Sequence, residues 1–541
     1  MSTLVQELGA WAVELHLGDV PPPVLELCRA QRRSVLGAVA ASSDDAAWGR
    51  VRSAAQRWAA PGPAPMPGGG TGAGGVRVED AVYVAAAASV ALDFDDYVCF
   101  GHTGHSAVLV PVLLAAETGA TGEEQLLAQL VANEIEARLG GACLIGPLNG
   151  QLWSFIHSAG AALATGRLIG LDALEMAHAL AIALYQPPMP SPPGFFMPDS
   201  KLVTASEPVL AGMRAARLAA EGVTGPLDVL DNPRGFFSAF ADLPLKGLLG
   251  GLGEGWATST LCVKPYPGCA YIDTALDALD QLGWPAAEEV EAIDVDASIL
   301  TTSMEAMSAA YVEAAIGAGV VPTPVSVTFS VRWSLAVGAV AGRLTPTEVS
   351  QTWLEEHGDV LRRLATKVRV HHDWDLSRRA LASFSPVLPP GLVAKQIGVG
   401  GVLKAASSFH RSAGRGGLPG RARATAGLRT AGLTALLCRS DVGSNRRTAK
   451  RWWDPEALRA FEMAFPARLR VHLHGGRELV AEVGVPRGAA GRMGNGQGVS
   501  PCEVARAKLM SYGPSLWGHD GTRDIDMAVS SDDADLWRLL G

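Results

Sequence analysis

The run ALDFDDYVCFGHTGHSAVLVPVLLAAE, Ala91 to Glu117, is the stretch from which the rest of the chain can be ordered. Within thirteen residues it sets Asp93, Asp95, Asp96, His102 and His105 at the edge of a long apolar segment. Carboxylates and imidazoles against an apolar wall suit proton transfer, because burial and neighbouring charge move their ionisation toward neutral pH. The residues before it, VEDAVYVAAAASVA from position 78, are almost wholly apolar and predict a central buried helix that runs on through LDFDD. On such a helix Asp93 and Asp96 share a face, being three apart, while Asp95 points elsewhere.

Working outward, the first 260 or so residues read mostly as helices. Pro21 to Pro23 precede VLELCRAQRRSVLGAVAA, whose apolar residues recur at helical spacing. PGPAPMPGGGTGAGG (61–75) is a loop, and Thr121 caps the helix GEEQLLAQLVANEIEARLG. SAVLVPVLLAAETG, HSAGAALATGRLIG and LDALEMAHALAIALYQ are further buried helices, and PPMPSPPGFFMP (187–198) is a proline-rich loop. Near 285 the texture changes. VEAIDVDASIL, VSVTFSVRW and TKVRVHHDW carry β-branched residues at period two and predict strands, with helical pieces SLAVGAVAG and PTEVSQTWLEEHG between them. RLRVHLHGGRELVAEVGVP (468–486) predicts a hairpin around Gly475 and Gly476, and SPCEVARAKLMSYG returns to helix. The expected organisation is mainly α with an α+β lid: a helical domain over 1–265, completed by 500–541, and a smaller α+β domain over 266–490. The stretch 388–455, rich in Gly, Ala, Ser and Arg, stands apart and reads as a basic surface insertion within the lid.

The chain has 541 residues, 48% of them apolar and 18% charged, which excludes a disordered protein. The net charge of −9, with a pI near 5.8 and no basic stripe in the first two-thirds, argues against nucleic-acid binding. The seven cysteines are scattered, with no CxxC, so neither a disulfide framework nor an iron–sulfur cluster is expected. The N-terminus lacks the basic and apolar regions of a signal peptide, and no long unbroken apolar run suggests a membrane span. A cytoplasmic location is the default expectation.

Several side chains qualify for chemistry. His102 and His105 form an HxxH turn beside carboxylates, a pattern that also suits a metal. Zinc sites usually use His at i and i+4, and a third ligand is not evident, so no metal and no cofactor are expected. His157 lies in the apolar helix QLWSFIHSAGAALATG, where a lone histidine is more often a satisfied core residue than a base. Lys201 and Lys264 sit in lysine-poor surroundings and suit a substrate carboxylate, though a single lysine is ordinarily solvated. No P-loop and no G-x-S-x-G elbow are present.

Taken in order, LDFDD (92–96), GHTGHSAVLVP (101–111), ANEIEARLG (132–140), the helix at His157, Lys201, GPLDVLDNPRGFF (225–237) and KPYPGC (264–269) resemble the MmgE/PrpD family. That family includes 2-methylcitrate dehydratase, cis-aconitate decarboxylase and iminodisuccinate epimerase. The resemblance implies a helical domain with an inserted α+β lid, an active site between them, a homodimer and no cofactor. It implies Asp93, His105, His157, Lys201 and Lys264 as catalytic or substrate-contacting positions. In that reading His157 is the base or proton donor, the lysines hold substrate carboxylates or protonate a leaving hydroxyl, and Asp93 orients His105.

The chain departs from the pattern at Tyr97 (often Thr), Ser106 (often Pro), Asp273 (often His) and Arg332-Trp333 (Pro-Tyr). Tyr97, His102, Asp273, Arg332 and Trp333 are accordingly the expected substrate-binding set. The implied activity is a cofactor-independent lyase, foremost a dehydratase of a small hydroxy-polycarboxylate. A decarboxylase or epimerase on a related acid shares its opening steps. A non-catalytic descendant and a metal-dependent hydrolase using the His and Asp residues are the competing classes.

Overall fold

The computed structural model describes residues 2–69, 74–148, 150–317, 322–398, 400–401, 451–491 and 498–541. Nine helices and six strands suffice to place the site. The helices are α1 (Pro22–Ala41), α2 (Val78–Ala91), α3 (Gly122–Ala142), α4 (Ser154–Leu168), α5 (Val203–Ala220), α6 (Asp273–Gln281), α7 (Val331–Ala341), α8 (Pro501–Tyr512) and α9 (Pro514–Ser530). The strands are β1 (Asp96–Val98), β2 (Leu261–Val263), β3 (Val290–Ala297), β4 (Val368–His372), β5 (Ala467–Leu473) and β6 (Glu478–Val483).

The helical part owes its density to small residues. In α2 every residue but Glu79 is buried, and in α4 everything from Ser154 to Gly166 is buried. Helices so rich in Ala and Gly let backbones approach closely. A Cβ on Gly212 of α5 would lie 2.2 Å from the Ser158 carbonyl of α4. Thr121 caps α3 with a full capping box, its side chain accepting from the Glu124 amide while Glu124 reaches back to the Thr121 amide. Helix α8 lies along α1, where a Cβ on Gly37 would meet Lys508 Cγ at 2.8 Å. Ion pairs Arg33–Asp526 (2.6 Å) and Arg29–Asp532 (2.5 Å) fasten the chain's last segment to α1.

The sheet has strand order β4-β3-β5-β6, with β3 and β4 parallel and the other neighbours antiparallel. Ala467, Leu469, Val471 and Leu473 of β5 are buried in turn, against a core shared with α6 and α7. The hairpin at Gly475–Gly476 is present, both glycines having positive φ. The architecture is mainly α with an α+β region. Among the described residues no helix is long and apolar enough to cross a membrane.

Three local expectations fail. Helix α2 stops at Ala91 and does not run through LDFDD: Leu92 caps it, and Asp93 turns left-handed with φ 54°. Aspartate tolerates that region better than most residues. The next residues enter β1, which pairs antiparallel with β2, so Asp93 and Asp96 share no helix face. The expected strand VSVTFSVRW is helical instead, as a short turn Pro324–Val327 followed by α7. Thr323 caps the first, with Pro324 at its first position, and Ser330 caps α7 by accepting from the Trp333 amide. These start signals outweigh the β-branched content. The loop expected over 61–75 contains a short extended piece, Pro61–Ala64, bridged to Val76. Of the basic stretch 388–455, residues 399 and 402–450 lie outside the described residues.

Candidate active site

The left-handed turn at Asp93 aims its carboxylate away from α2 and toward two ammoniums. Lys264, just after β2, donates to Asp93 Oδ2 at 2.8 Å and to the Asp93 carbonyl at 2.8 Å. Lys201, on a single 3₁₀ turn (Asp199–Leu202), lies 3.1 Å from Asp93 Oδ1 and donates to the Val90 carbonyl at 2.5 Å. The Phe329 and Phe195 rings flank the Lys201 ammonium at 5.4 and 5.7 Å. Both lysines are wholly buried and Asp93 nearly so.

Asp95 links this pair to the imidazoles. Its Oδ1 accepts from Lys264 at 2.6 Å, while its Oδ2 is 2.6 Å from His102 Nδ1 and 3.1 Å from His105 Nε2. Gln151 Nε2 reaches both oxygens at 3.2 Å. The Ser89 hydroxyl holds His105 Nδ1 from the other side, at 2.8 Å. His105 and His157 meet edge to face, ring centroids 5.3 Å apart. His157 Nδ1 in turn lies 3.0 Å from the Ser106 hydroxyl, which donates to Glu136 Oε1 at 2.8 Å.

Burial and charge divide these groups. Burial opposes ionisation of Asp93, but Lys264 and Lys201 outweigh it and hold the carboxyl below its ordinary range. Asp95 is likewise held well below the ordinary range, burial being overcome by Lys264 and His102. Burial lowers Lys201, and Asp93 only partly restores it. Lys264 goes the other way, because Asp93 and Asp95 together overcome its burial. His157 is depressed well below the usual histidine value by burial and then by the neighbouring imidazoles, so it is neutral and able to accept a proton. Burial also lowers His102, against the pull of Asp95. Burial pushes Glu136 well above the carboxylate range and Asp96 up to about 6, the Asp95 charge adding to the second.

The result is a dry cluster holding fixed cations, fixed anions and a neutral imidazole side by side. That set can neutralise a substrate carboxylate, accept a proton from carbon and return one to oxygen or carbon. Among the described residues no group of three or more His, Cys, Asp or Glu side chains is arranged to hold a metal ion.

A match to the MmgE/PrpD N-terminal domain extends over residues 6–246. Residues 6–246 are therefore similar to that family's N-terminal domain. Two curated relatives, both cis-aconitate decarboxylases, come from Aspergillus terreus and from its strain NIH 2624 / FGSC A1156. They are 28% identical over 308 and 309 residues, which is 52% of this chain and 60% of each relative. The chain thus spans about 60% of the length of the curated relatives it matches.

The matched segment 6–246 supplies Asp93, His105, His157 and Lys201, while Lys264 comes from the segment beyond it. The structure brings these five together. It differs on one role, since the carboxylate facing His105 is Asp95 and not Asp93, a consequence of the early end of α2. His102, 13% exposed, lies beside Asp95 with Tyr97 behind it, ring centroids 5.7 Å apart. Tyr97 is buried opposite Cys262 and pushed well above its ordinary value by burial. Asp273 begins α6, buried, with Oδ1 unpartnered among the described residues and its carboxyl raised well above the ordinary range by burial.

Arg332 and Trp333 do not join the cluster. Arg332 is 38% exposed and pairs with Glu305 (3.2 Å) and Glu313 (3.7 Å), and Trp333 fills the core behind the sheet. They face elsewhere because Ser330 starts a helix there. Ser89, Gln151 and Glu136 escape sequence reasoning, and Asp95 and Ser106, though noted in the sequence, are given no role in the site by it. Each is a polar residue on or next to a buried segment, and the only signal was that polarity.

Proposed function

We propose that this chain is a cofactor-independent lyase acting on a small polycarboxylate, foremost a dehydratase of a hydroxy-polycarboxylate. The observation that carries the reading is the convergence of Lys201 and Lys264 on Asp93 beside the His105–His157 ring pair. The ammoniums hold substrate carboxylates and stabilise the enolate-like charge that builds when a neighbouring proton leaves. His157 takes the proton from the carbon next to a carboxylate. The electron pair of that C–H bond forms the alkene as the β C–O bond breaks. The departing hydroxide takes a proton from a lysine or from His105 and leaves as water.

Decarboxylation is the second reading, favoured by the two relatives named cis-aconitate decarboxylase. There the C–C bond to a carboxylate breaks, CO₂ departs, and an imidazole delivers a proton to the carbon left with the electron pair. An epimerase would return the proton to the opposite face. The proposal includes a homodimer in the cytoplasm, and a lid over 266–490 set on a helical domain of 1–265 and 500–541. Helix α8 packed on α1 supports the last division. Light scattering of the purified chain checks the dimer.

The test is proton NMR in D₂O with a panel of hydroxy- and unsaturated di- and tricarboxylates. Deuterium entering a carbon beside a carboxylate, lost in His157→Ala, is the expected result. A new olefinic signal marks dehydration, and CO₂ release marks decarboxylation. Activity unchanged by a chelator is also expected. Silence across the panel, or exchange that persists in His157→Ala, overturns the reading.

A further inference from the structure

Ser106 takes no part in the chemistry above, yet its hydroxyl touches the base. Its Oγ lies 3.0 Å from His157 Nδ1, 2.8 Å from Glu136 Oε1 and 3.3 Å from the Thr103 carbonyl. A hydroxyl has one proton to give and two lone pairs with which to accept. A carbonyl only accepts, and the nearer carboxyl oxygen takes the hydroxyl proton. With Oε1 accepting, the lone pair left over faces His157, so Nδ1 carries the ring proton and donates it. Nε2 then bears the free lone pair, and no hydrogen bond among the described residues engages it.

Glu136 is built into this position. It is buried in α3, and a Cβ on Gly160 would lie 1.5 Å from its Oε1. Gly160 stands one turn beyond His157 on α4, so the absence of a side chain there makes room for the carboxyl. Glu136 Oε2 has no hydrogen-bond partner among the described residues and lies 3.8 Å from His157 Nδ1. Burial favours the neutral carboxyl. Ionised, or protonated on Oε2, Glu136 accepts from Ser106 through Oε1; a proton on Oε1 would instead donate to Ser106 and turn its hydroxyl toward His157, the arrangement that the nitrogen shifts below distinguish.

We propose that Ser106 and Glu136 are positioning residues that hold His157 as the tautomer protonated on Nδ1, with Nε2 free to take the substrate proton. The idea rests on His157 being the base of the proposed reaction, but its first readout needs no substrate. In ¹⁵N-histidine-labelled protein, with His157 assigned by its loss in His157→Gln, Nδ1 should resonate as a protonated ring nitrogen and Nε2 as an unprotonated one. Ser106→Ala should erase that preference and lower kcat about 10- to 100-fold with KM little changed. Ser106→Thr, which keeps a hydroxyl, should restore both. Glu136→Gln keeps an acceptor oxygen for Ser106 and should keep the tautomer, whereas Glu136→Leu should not.

An unprotonated Nδ1 in the wild type overturns the proposal, as do shifts that Ser106→Ala leaves unchanged. If the shifts behave as stated but every carboxylate is inert, the proposed reaction fails and the positioning of the ring stands. If turnover is intact and the shifts ignore Ser106, only the positioning fails.

Discussion

Lys264 answers to two carboxylates at once, Asp93 and Asp95, and all three are buried. Removing the cation strands two anions in a dry site. Lys264→Met should therefore cost about 3–5 kcal/mol of stability, read as a lower urea midpoint. Lys201→Met breaks one longer ion pair and should cost less while still weakening substrate binding, and equal losses for the two would contradict this ranking. The base gives a pH prediction. His157 works only when neutral, so rate is lost as pH falls through its folded value. That value is depressed by burial, so the acid limb of kcat/KM should lie below the usual histidine value of about 6.5. A limb centred on the usual value would mean that another group is the base. The DFDD and HxxH spacing made Asp93 and His105 legible as chemistry-bearing residues. The link between them was not, because Asp95 becomes the bridge only once Asp93 turns left-handed. The roles of Ser106 and Glu136 were not legible for a different reason. Their roles depend on three helices meeting, which no local spacing records.

At the scale of elements, the close crossing of α4 and α5 carries the helical core. Gly212→Ala would press a Cβ into the Ser158 carbonyl, and backbone cannot step aside as a side chain can. A loss of about 1–3 kcal/mol is expected, seen as a lower Tm. The same change at Gly119, where a Cβ meets nothing within 4 Å, should be milder and reflect only its φ of 67°. Helices such as α3 and α8 were legible because their caps are written in sequence: Thr121 with Glu124, Ser500 with Glu503. The segment 325–333 was misread because β-branched residues suggest a strand, while Thr323, Pro324 and Ser330 quietly mark two helix starts. The alternation in β5 was readable because one face of that strand meets the core and the other carries Arg468, Arg470 and His472.

For the whole molecule, the two ends of the basic stretch converge. Gln396 donates to the Pro244 carbonyl, and Trp452 packs on Gly247 three residues on. Trp453 is fully buried, donating to the Leu248 carbonyl at 2.7 Å with Arg138 over its ring. Replacing 402–450 with a short glycine linker should leave soluble protein with an unchanged Tm. Trp453→Ala should instead cost about 3–5 kcal/mol, and an insoluble deletion would show that the segment is structural. Acid should act through the site. Asp93 and Asp95 sit below their ordinary values when folded, so their ion pairs add stability above about pH 4 and lose it as pH falls through those depressed values. The closed packing around these groups also has a kinetic consequence. Lys201, Lys264, Asp93, His105 and His157 are all at most 2% exposed, so no substrate can meet them without the surrounding segments parting first. Capture then waits on a breathing motion of the protein. The observed capture rate should level off as substrate concentration rises, and its plateau would time the opening itself.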